Sequence, residues 1–465
     1  MTDVVLLTMP PNFNFTLRVQ PQGVLHIAST LEEQGIDVKI LDLTIDYLSK
    51  EKVMQILSKE NPSIIGITAF SNHIRDAVVY ANYFKENDID AKIVLGGPHV
   101  TLCPDFVKKF KMFDHGFVGE GEITFPKMVK SIMQGKKEKR VVRGKVVKDL
   151  DALPLPAYHL LEMKKYKLPH ISMRFSTALV SRGCPYSCDF CNVPKLSGRL
   201  VRFKSVKKIV EEIKILKEEY KVGSILFTDE NFTLDERRTI ELCKTMIKEG
   251  IDLKWLCETR CDLVNRRLLK IMHRAGCRTI GFGVESGSEK IRQQIKSRTV
   301  SNNVVNQAFK LCNEIGIKSA AFLIFGHPND TMEDIKKTFD YPLKLNADFI
   351  YPNPNFLLPA TSVFENSVRE GKIKKDIWEK YASGEIKHVP ILAPNGLTDK
   401  DIMRMIIRMD ALFYLRPYTI VSRLKKIKSF DDFATLVRAS RDILLHSVKS
   451  DYIVKRFFHA YFYEK

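Results

Sequence analysis

Over the first 135 residues, short apolar runs alternate with longer stretches whose apolar positions recur every three or four residues. Val4–Thr8 (VVLLT), Val38–Leu43 (VKILDL), Ile64–Thr68 (IIGIT), Lys92–Gly97 (KIVLGG) and Gly116–Glu122 (GFVGEGE) have the length and composition of strands. Between them, GVLHIASTLEEQG, IRDAVVYANYFKEN and FPKMVKSIMQG show helical spacing and end near Gly or Asn, where helices stop. This alternation predicts an α/β unit, a five-stranded doubly wound parallel sheet over residues 1–140. Ligands of such sheets lie beyond the carboxyl ends of the strands, which here carry Ser71 and Asn72, Gly96 to His99, and Gly119, Glu120, Gly121 and Glu122.

A basic, then Pro-punctuated stretch (GKKEKRVVRGKVVKDLDALPLPAYHLL) reads as a linker with one hairpin, over 141–172. A second alternation follows over 173–395. Its strand candidates are Ala178–Ser181, Ser224–Thr228, Leu253–Cys257, Thr279–Val284, Ala320–Phe325 and Asp348–Tyr351. Between the first two, SVKKIVEEIKILKEEY puts Val206, Ile209, Val210, Ile213 and Leu216 on one face, with Ser205 placed to cap it. Six strand–helix units predict a partial parallel (β/α)6 barrel, with chemistry at the carboxyl ends of its strands. Residues 396–465 read as a helical C-terminal region.

Composition narrows the setting. With 465 residues and 45% hydrophobic content, the chain can form two or three domains with buried cores. Nine cysteines without regular spacing, and an N-terminus (MTDVVLLTMPPN) lacking a charged start and long apolar run, point to the reducing cytoplasm. The apolar runs are too short to span a membrane, which takes about 20 residues. The net charge of +19 suits an anionic partner, but the positive residues are spread along helices and match no nucleic-acid module, so nucleic acid is not expected.

The first barrel strand runs into SRGCPYSCDFCNVP, with Cys184, Cys188 and Cys191 in a CxxxCxxC spacing. A zinc site needs a fourth ligand, and Cys257, Cys261, Cys277 and Cys312 supply no CxxC partner. A disulfide conflicts with a reducing compartment. An iron–sulfur cluster held by three cysteines leaves one iron open to a substrate or cosubstrate. Cys257 and Cys261 lack the partners for a second cluster, and Cys103, Cys243, Cys277 and Cys312 read as small buried hydrophobes.

The CxxxCxxC loop after the first strand of a partial barrel resembles the radical S-adenosylmethionine (SAM) superfamily. The resemblance implies a 4Fe–4S cluster on Cys184, Cys188 and Cys191, with SAM on the open iron as the source of a 5'-deoxyadenosyl radical. Phe190 matches the aromatic position near the adenine. FTDENFT after the second strand offers Asp229, Glu230 and Asn231 to the methionyl amino group, although the family's Gly-Gly-Glu form is absent and an ordinary polar cap fits equally. GVESGSE places Glu285 and Ser288 where the family contacts ribose and carboxylate, and FLIFGHPNDT places Gly326 beside the adenine. Arg260 in ETRCDL suits a carboxylate partner or, preferably, a structural ion pair.

The N-terminal sheet lacks a G-x-G-x-x-G turn after its first strand. It resembles the cobalamin-binding module fused to many radical SAM enzymes, through PQGVLHIASTLEEQGIDVKILDL, GGPHVTLCPDF and GFVGEGEITF. The Asp-x-His-x-x-Gly motif is missing, and none of His26, His73, His99 and His115 has its context, so the resemblance implies cobalamin without a protein histidine on cobalt. Gly96, Gly97, Gly119 and Gly121 would let backbone lie against the corrin, or merely serve tight turns, while Ser71 and Asn72 approach its lower face.

The implied activity is methylation of an unactivated carbon in a lipid, tetrapyrrole or other apolar metabolite, fed by a flavodoxin- or ferredoxin-type electron donor. The same cofactors used for ring closure, oxidation or rearrangement form one alternative, and a non-catalytic cobalamin or redox sensor another. From Leu415 to Lys465 there are 11 Lys or Arg against 5 Asp or Glu, among aromatic residues, and IMRMIIRMDALFYLRP precedes them. That tail suits helices packed on the barrel or peripheral contact with an anionic membrane surface.

Overall fold

The computed structural model describes residues 2–10, 19–167, 173–296, 300–394 and 396–414. Strands β1 (Val4–Thr8), β2 (Val38–Asp42), β3 (Ile64–Thr68), β4 (Lys92–Gly96), β5 (His115–Val118) and β6 (Val141–Arg143) form one parallel sheet in the order β2-β1-β3-β4-β5-β6. Every residue of β1 is buried, because helices cover both faces of its sheet. The strand expected over Gly116–Glu122 stops at Val118, where Gly119 turns at φ +86°.

The sheet thus has six strands rather than five. β6 lies in the stretch read as linker and pairs in parallel with β5, Gly116 opposite Val141. Its three residues leave too short an apolar run to register as a strand against the flanking basic residues. The rest of that stretch is a packed strap. Tyr158 donates to Glu212 Oε1 (2.8 Å), and Tyr166 to the Asp42 carboxylate.

The second sheet contains β7 (Phe175–Ala178), β10 (Ser224–Phe227), β11 (Lys254–Thr259), β12 (Cys277–Glu285), β13 (Lys318–Phe325) and β14 (Phe349–Pro354), all parallel and in sequential order. The strand expected over Ala178–Ser181 lies three residues earlier: β7 shares only Ala178 with it, and Ser181 instead begins β8 (Ser181–Arg182), which pairs with β9 (Arg202–Phe203) as a small antiparallel ribbon. Alternation along the barrel strands separates two faces. Trp255, Cys257 and Thr259 are buried, whereas Leu256 and Glu258 keep access to solvent.

One apolar core runs from β1 through the strap into the barrel, so the modules are packed together. After the barrel, helix Ile377–Ser383 returns to helix Ile74–Glu86, with Tyr381 donating to Asn72 O (2.9 Å). Helix Asp399–Tyr414 buries Ile402, Met403, Ile406, Met409 and Phe413, and Tyr414 hydroxyl reaches Ile350 on β14 (3.1 Å). The apolar start of the C-terminal region therefore packs on the barrel. The basic, aromatic tail from Leu415 lies outside the described residues. Among the described residues no helix is long and apolar enough to cross a membrane.

Candidate functional site

The cysteine loop begins at Gly183, whose φ of +107° only glycine adopts easily and whose Cβ would stand 2.6 Å from Leu200 O. Cys184 N–H donates to Gly198 O (3.1 Å), and Asp189 N–H to Ile295 O (2.9 Å). Asp189 Oδ2 meets His327 Nε2 at 2.8 Å, and the Arg260 guanidinium lies 4.0 Å from the Tyr186 ring centre. Arg260 also forms an ion pair with Asp262 (2.8 Å), the structural role expected. The loop is thus tied to the turn before β9, the residue after β11, the β13 end and helix Glu289–Ile295.

All nine cysteines are free thiols. Cys184, Cys188 and Cys191 lie near enough for charge on one to disfavour charge on another. Burial, with this repulsion added, pushes the Cys191 thiol up to about 12 and also raises Cys184. Among the described residues no three His, Cys, Asp or Glu side chains are gathered as for a single metal ion. Cys243, Cys257, Cys261, Cys277 and Cys312 are buried and act as core, while Cys103 is half-buried.

The residues expected around the cosubstrate divide by role. Asn231 donates from Nδ2 to Cys184 Sγ (3.4 Å). Glu230 is half-buried, its Oε2 shielded from solvent without a hydrogen-bond partner, and burial raises its carboxyl. An orphaned carboxylate oxygen beside a thiol loop fits an incoming ammonium. Asp229, in contrast, accepts from Ser181 Oγ (2.5 Å) and Val180 N (3.2 Å), which holds the chain entering the loop. Ser288 donates to Asp334 (2.6 Å), and Lys296 reaches Glu285 (3.3 Å). Glu285 has φ +67° at a register shift between β12 and β13, which re-aims its side chain. Gly326 has φ +88° and Phe190 is half-buried.

At the N-terminal strand ends, His99 is fully buried. It meets Ser71 Oγ at 3.0 Å and packs edge-on against Phe106; burial pushes its imidazole down to about 3. Ser71 is buried as well, so this pair shapes the β3 turn from beneath. A Cβ on Gly97 would stand 2.5 Å from Thr68 Oγ1, and one on Gly121 2.9 Å from Ile27, so both serve close packing. Gly96 and Gly119 leave open backbone, and Phe70 beyond β3 is 58% exposed. Bare backbone and an exposed ring suit the face of a flat macrocycle.

The two sets of strand ends meet. Helix Pro98–Leu102 packs against Val193–Leu196, the turn that follows Cys191. Glu120 takes a two-pronged contact from Arg202 (2.7 and 2.9 Å), and Glu122 pairs with Arg182 (2.7 Å). Burial opposes ionisation of Glu120, but its bonds to Arg202 and Val147 N–H hold its carboxyl below the usual range. This clamp, Asp189–His327 and the Tyr186–Arg260 stack escaped the sequence reading. Their visible signal was the charged or aromatic residues within and beside the cysteine motif.

The fold and site define a two-module cofactor protein, with a ligand-binding parallel sheet facing a three-thiol loop at the mouth of a six-strand barrel. Residues 179–341 match the radical SAM superfamily and residues 12–129 the B12 binding domain. An uncharacterized methyltransferase of Pyrococcus horikoshii is 30% identical over 437 residues, covering 90% of this chain and 94% of that protein. The anaerobic magnesium-protoporphyrin IX monomethyl ester cyclase of Rubrivivax gelatinosus is 27% identical, covering 85% and 74%. The hopanoid C-2 methylase of Rhodopseudomonas palustris is 27% identical, covering 77% and 66%. The cobalamin-dependent radical enzyme OxsB, solved with aqua-cobalamin and SAM, shares the fold at a TM-score of 0.72 and 18% identity, covering 99% of this chain and 75% of that one. The chain belongs to the cobalamin-dependent radical SAM enzymes, and its cofactors are cobalamin, SAM and a 4Fe–4S cluster.

Proposed function

We propose that this enzyme methylates an unactivated carbon of a small, apolar metabolite of lipid or tetrapyrrole type. The observation that carries the reading is the direct packing of the cobalamin-type strand ends on the turn after Cys191. Together the cofactors supply, when bound, a carbon-centred radical and a transferable methyl group. The relatives named as methyltransferases and as a hopanoid methylase support methyl transfer. The cyclase relative favours ring closure as a second reading, and product mass separates the two.

In this reading Cys184, Cys188 and Cys191 hold the cluster. The sulfurs around a multi-iron core stand further apart than those around one ion, in keeping with three thiols that interact without converging. Asn231 hydrogen-bonds one ligand sulfur, and Glu230 receives the cosubstrate's ammonium. Phe190, Glu285 and Gly326 border the nucleoside. Asp229 and Ser288 support the site through Ser181 and Asp334. Phe70, Gly96 and Gly119 offer the corrin its shelf, with Ser71, Asn72, His99, Gly97 and Gly121 shaping it; Glu120 locks that shelf to the barrel. Close packing of the modules excludes water from the reacting carbon. A flavodoxin- or ferredoxin-type protein delivers the electron.

The test is anaerobic reconstitution with SAM and reductant. Wild type and Cys312→Ala form 5'-deoxyadenosine, Cys188→Ala loses it together with bound iron, and the product is heavier by one methylene unit. Wild type that binds iron and cobalamin yet forms no 5'-deoxyadenosine contradicts the reading.

A further inference from the structure

The open face of the barrel carries a row of four residues that none of the cofactor assignments uses. Glu258 on β11 stands opposite Gly281 on β12, and Phe322 on β13 opposite Tyr351 on β14. A Cβ on Gly281 would lie 2.4 Å from the Phe322 ring and 3.4 Å from Glu258 Cγ, which puts all three on one face and shows that the glycine makes room for the ring. Phe322 and Tyr351 stack at 5.1 Å and 21°, and partly accessible Leu256 and Ile324 lie on the same open face by the alternation of their strands. The result is a flat apolar wall with one carboxylate beside it.

That carboxylate has access to solvent, yet among the described residues no side chain or backbone group hydrogen-bonds or ion-pairs with it. Burial, and then the charge of Glu285, push its carboxyl up. Accessible but crowded by protein describes a group lining a concave pocket. Glu258 is the last but one residue of β11, two before Arg260, whose guanidinium stacks on Tyr186 of the thiol loop, so the row lies toward that loop.

We infer that Glu258, Phe322 and Tyr351 form the substrate pocket, and that the substrate has a flat apolar body with a cationic or N–H-donating nitrogen that binds the Glu258 carboxylate. The inference deepens the proposed function and rests on it for what happens to the bound molecule. A carboxylate with no cation of its own discriminates by charge, since an anionic substrate meets repulsion and a cationic one a charge-assisted hydrogen bond.

Equilibrium dialysis of the reconstituted holoenzyme, with SAM present, against tryptamine, indole and indole-3-acetate tests the pocket. Wild type is expected to hold tryptamine about tenfold more tightly than indole-3-acetate, with indole between them. Glu258→Gln removes this ranking, Glu258→Asp retains part of it, and Phe322→Leu weakens all three alike. Preference for indole-3-acetate, an unchanged ranking in Glu258→Gln, or no binding of any probe by wild type would overturn the inference. Loss of SAM binding in Glu258→Gln would overturn it too, by assigning the carboxylate to the cosubstrate. If the ranking behaves as expected while no 5'-deoxyadenosine forms, the pocket stands and the radical reading falls.

Discussion

Asn231 shows how much a single side chain sets at this site. Its amide donates to Cys184 Sγ, and hydrogen bonds to cluster sulfurs raise the reduction potential by stabilising the more negative state. Asn231→Ala is expected to lower the cluster potential by on the order of 50 mV, from about 1 kcal/mol for one hydrogen bond in a one-electron couple. An EPR-monitored redox titration reads this directly, and an unchanged potential would remove Asn231 from the cluster's surroundings. Glu230 is expected to act on binding instead. Glu230→Gln should weaken SAM binding by about tenfold, the loss of one charge-assisted bond, with iron content intact. At this scale the sequence was informative where a motif names its own neighbours: DEN after β10 delivered both residues. It was uninformative where partners come from distant segments, as with Asp189 and His327, 138 positions apart.

The element that joins the modules is the ribbon β8–β9. Its Arg182 and Arg202 reach Glu122 and Glu120 beyond β5, and the Arg182–Glu122 side chains are only 12% and 4% exposed. Removing Glu122 leaves the buried Arg182 guanidinium with only its longer contact to Glu120 (3.6 Å), which Arg202 already engages. Glu122→Gln is therefore expected to destabilise the protein by about 3 kcal/mol, and Glu122→Leu combined with Arg182→Met to recover most of that. Chemical denaturation in a double-mutant cycle measures the coupling, and additive losses would show that the pair does not clamp the modules. Apolar runs in the sequence revealed nearly every strand of both sheets: β1 and β3 are almost continuous in Val, Ile and Leu, and the alternating barrel strands keep enough apolar positions to register, although β7 (FSTA) lies three residues before its expected place. They missed β6, which is three residues long and half-buried, and β8–β9, whose two-residue strands have no periodicity to detect.

Across the whole molecule, the cobalamin module is made acid-sensitive by histidines it buries neutral. Burial lowers His99 to about 3 and His73 to about 4, and His26 falls well below its ordinary value. A histidine with a depressed folded pKa binds fewer protons folded than unfolded, so its stability contribution is whole above about pH 6.5 and declines as pH falls toward the folded value. Thermal melts from pH 7.5 to 4.5 are expected to show a steep loss below 6.5, blunted in His99→Asn even though that variant starts lower. Equal slopes in the two proteins would contradict a neutral buried His99. The sequence announced these histidines without their burial, since His99 is enclosed by the packed turn beneath β3 and β4, and His26 on helix Gln22–Glu33 by packing that only the assembled fold provides. The two-module plan was legible from alternation and the cysteine spacing, but the contact between helix Pro98–Leu102 and the turn after Cys191 emerges only in the assembled fold.

That contact is the centre of the account, and methyl-deuterated SAM tests its consequence. Reconstituted enzyme, reductant and an extract of the source cells should yield 5'-deoxyadenosine together with one extract compound that gains the deuterated methyl group, both absent with Cys188→Ala. Formation of 5'-deoxyadenosine with no label entering any compound, while cobalamin is bound, would contradict methyl transfer between the two modules.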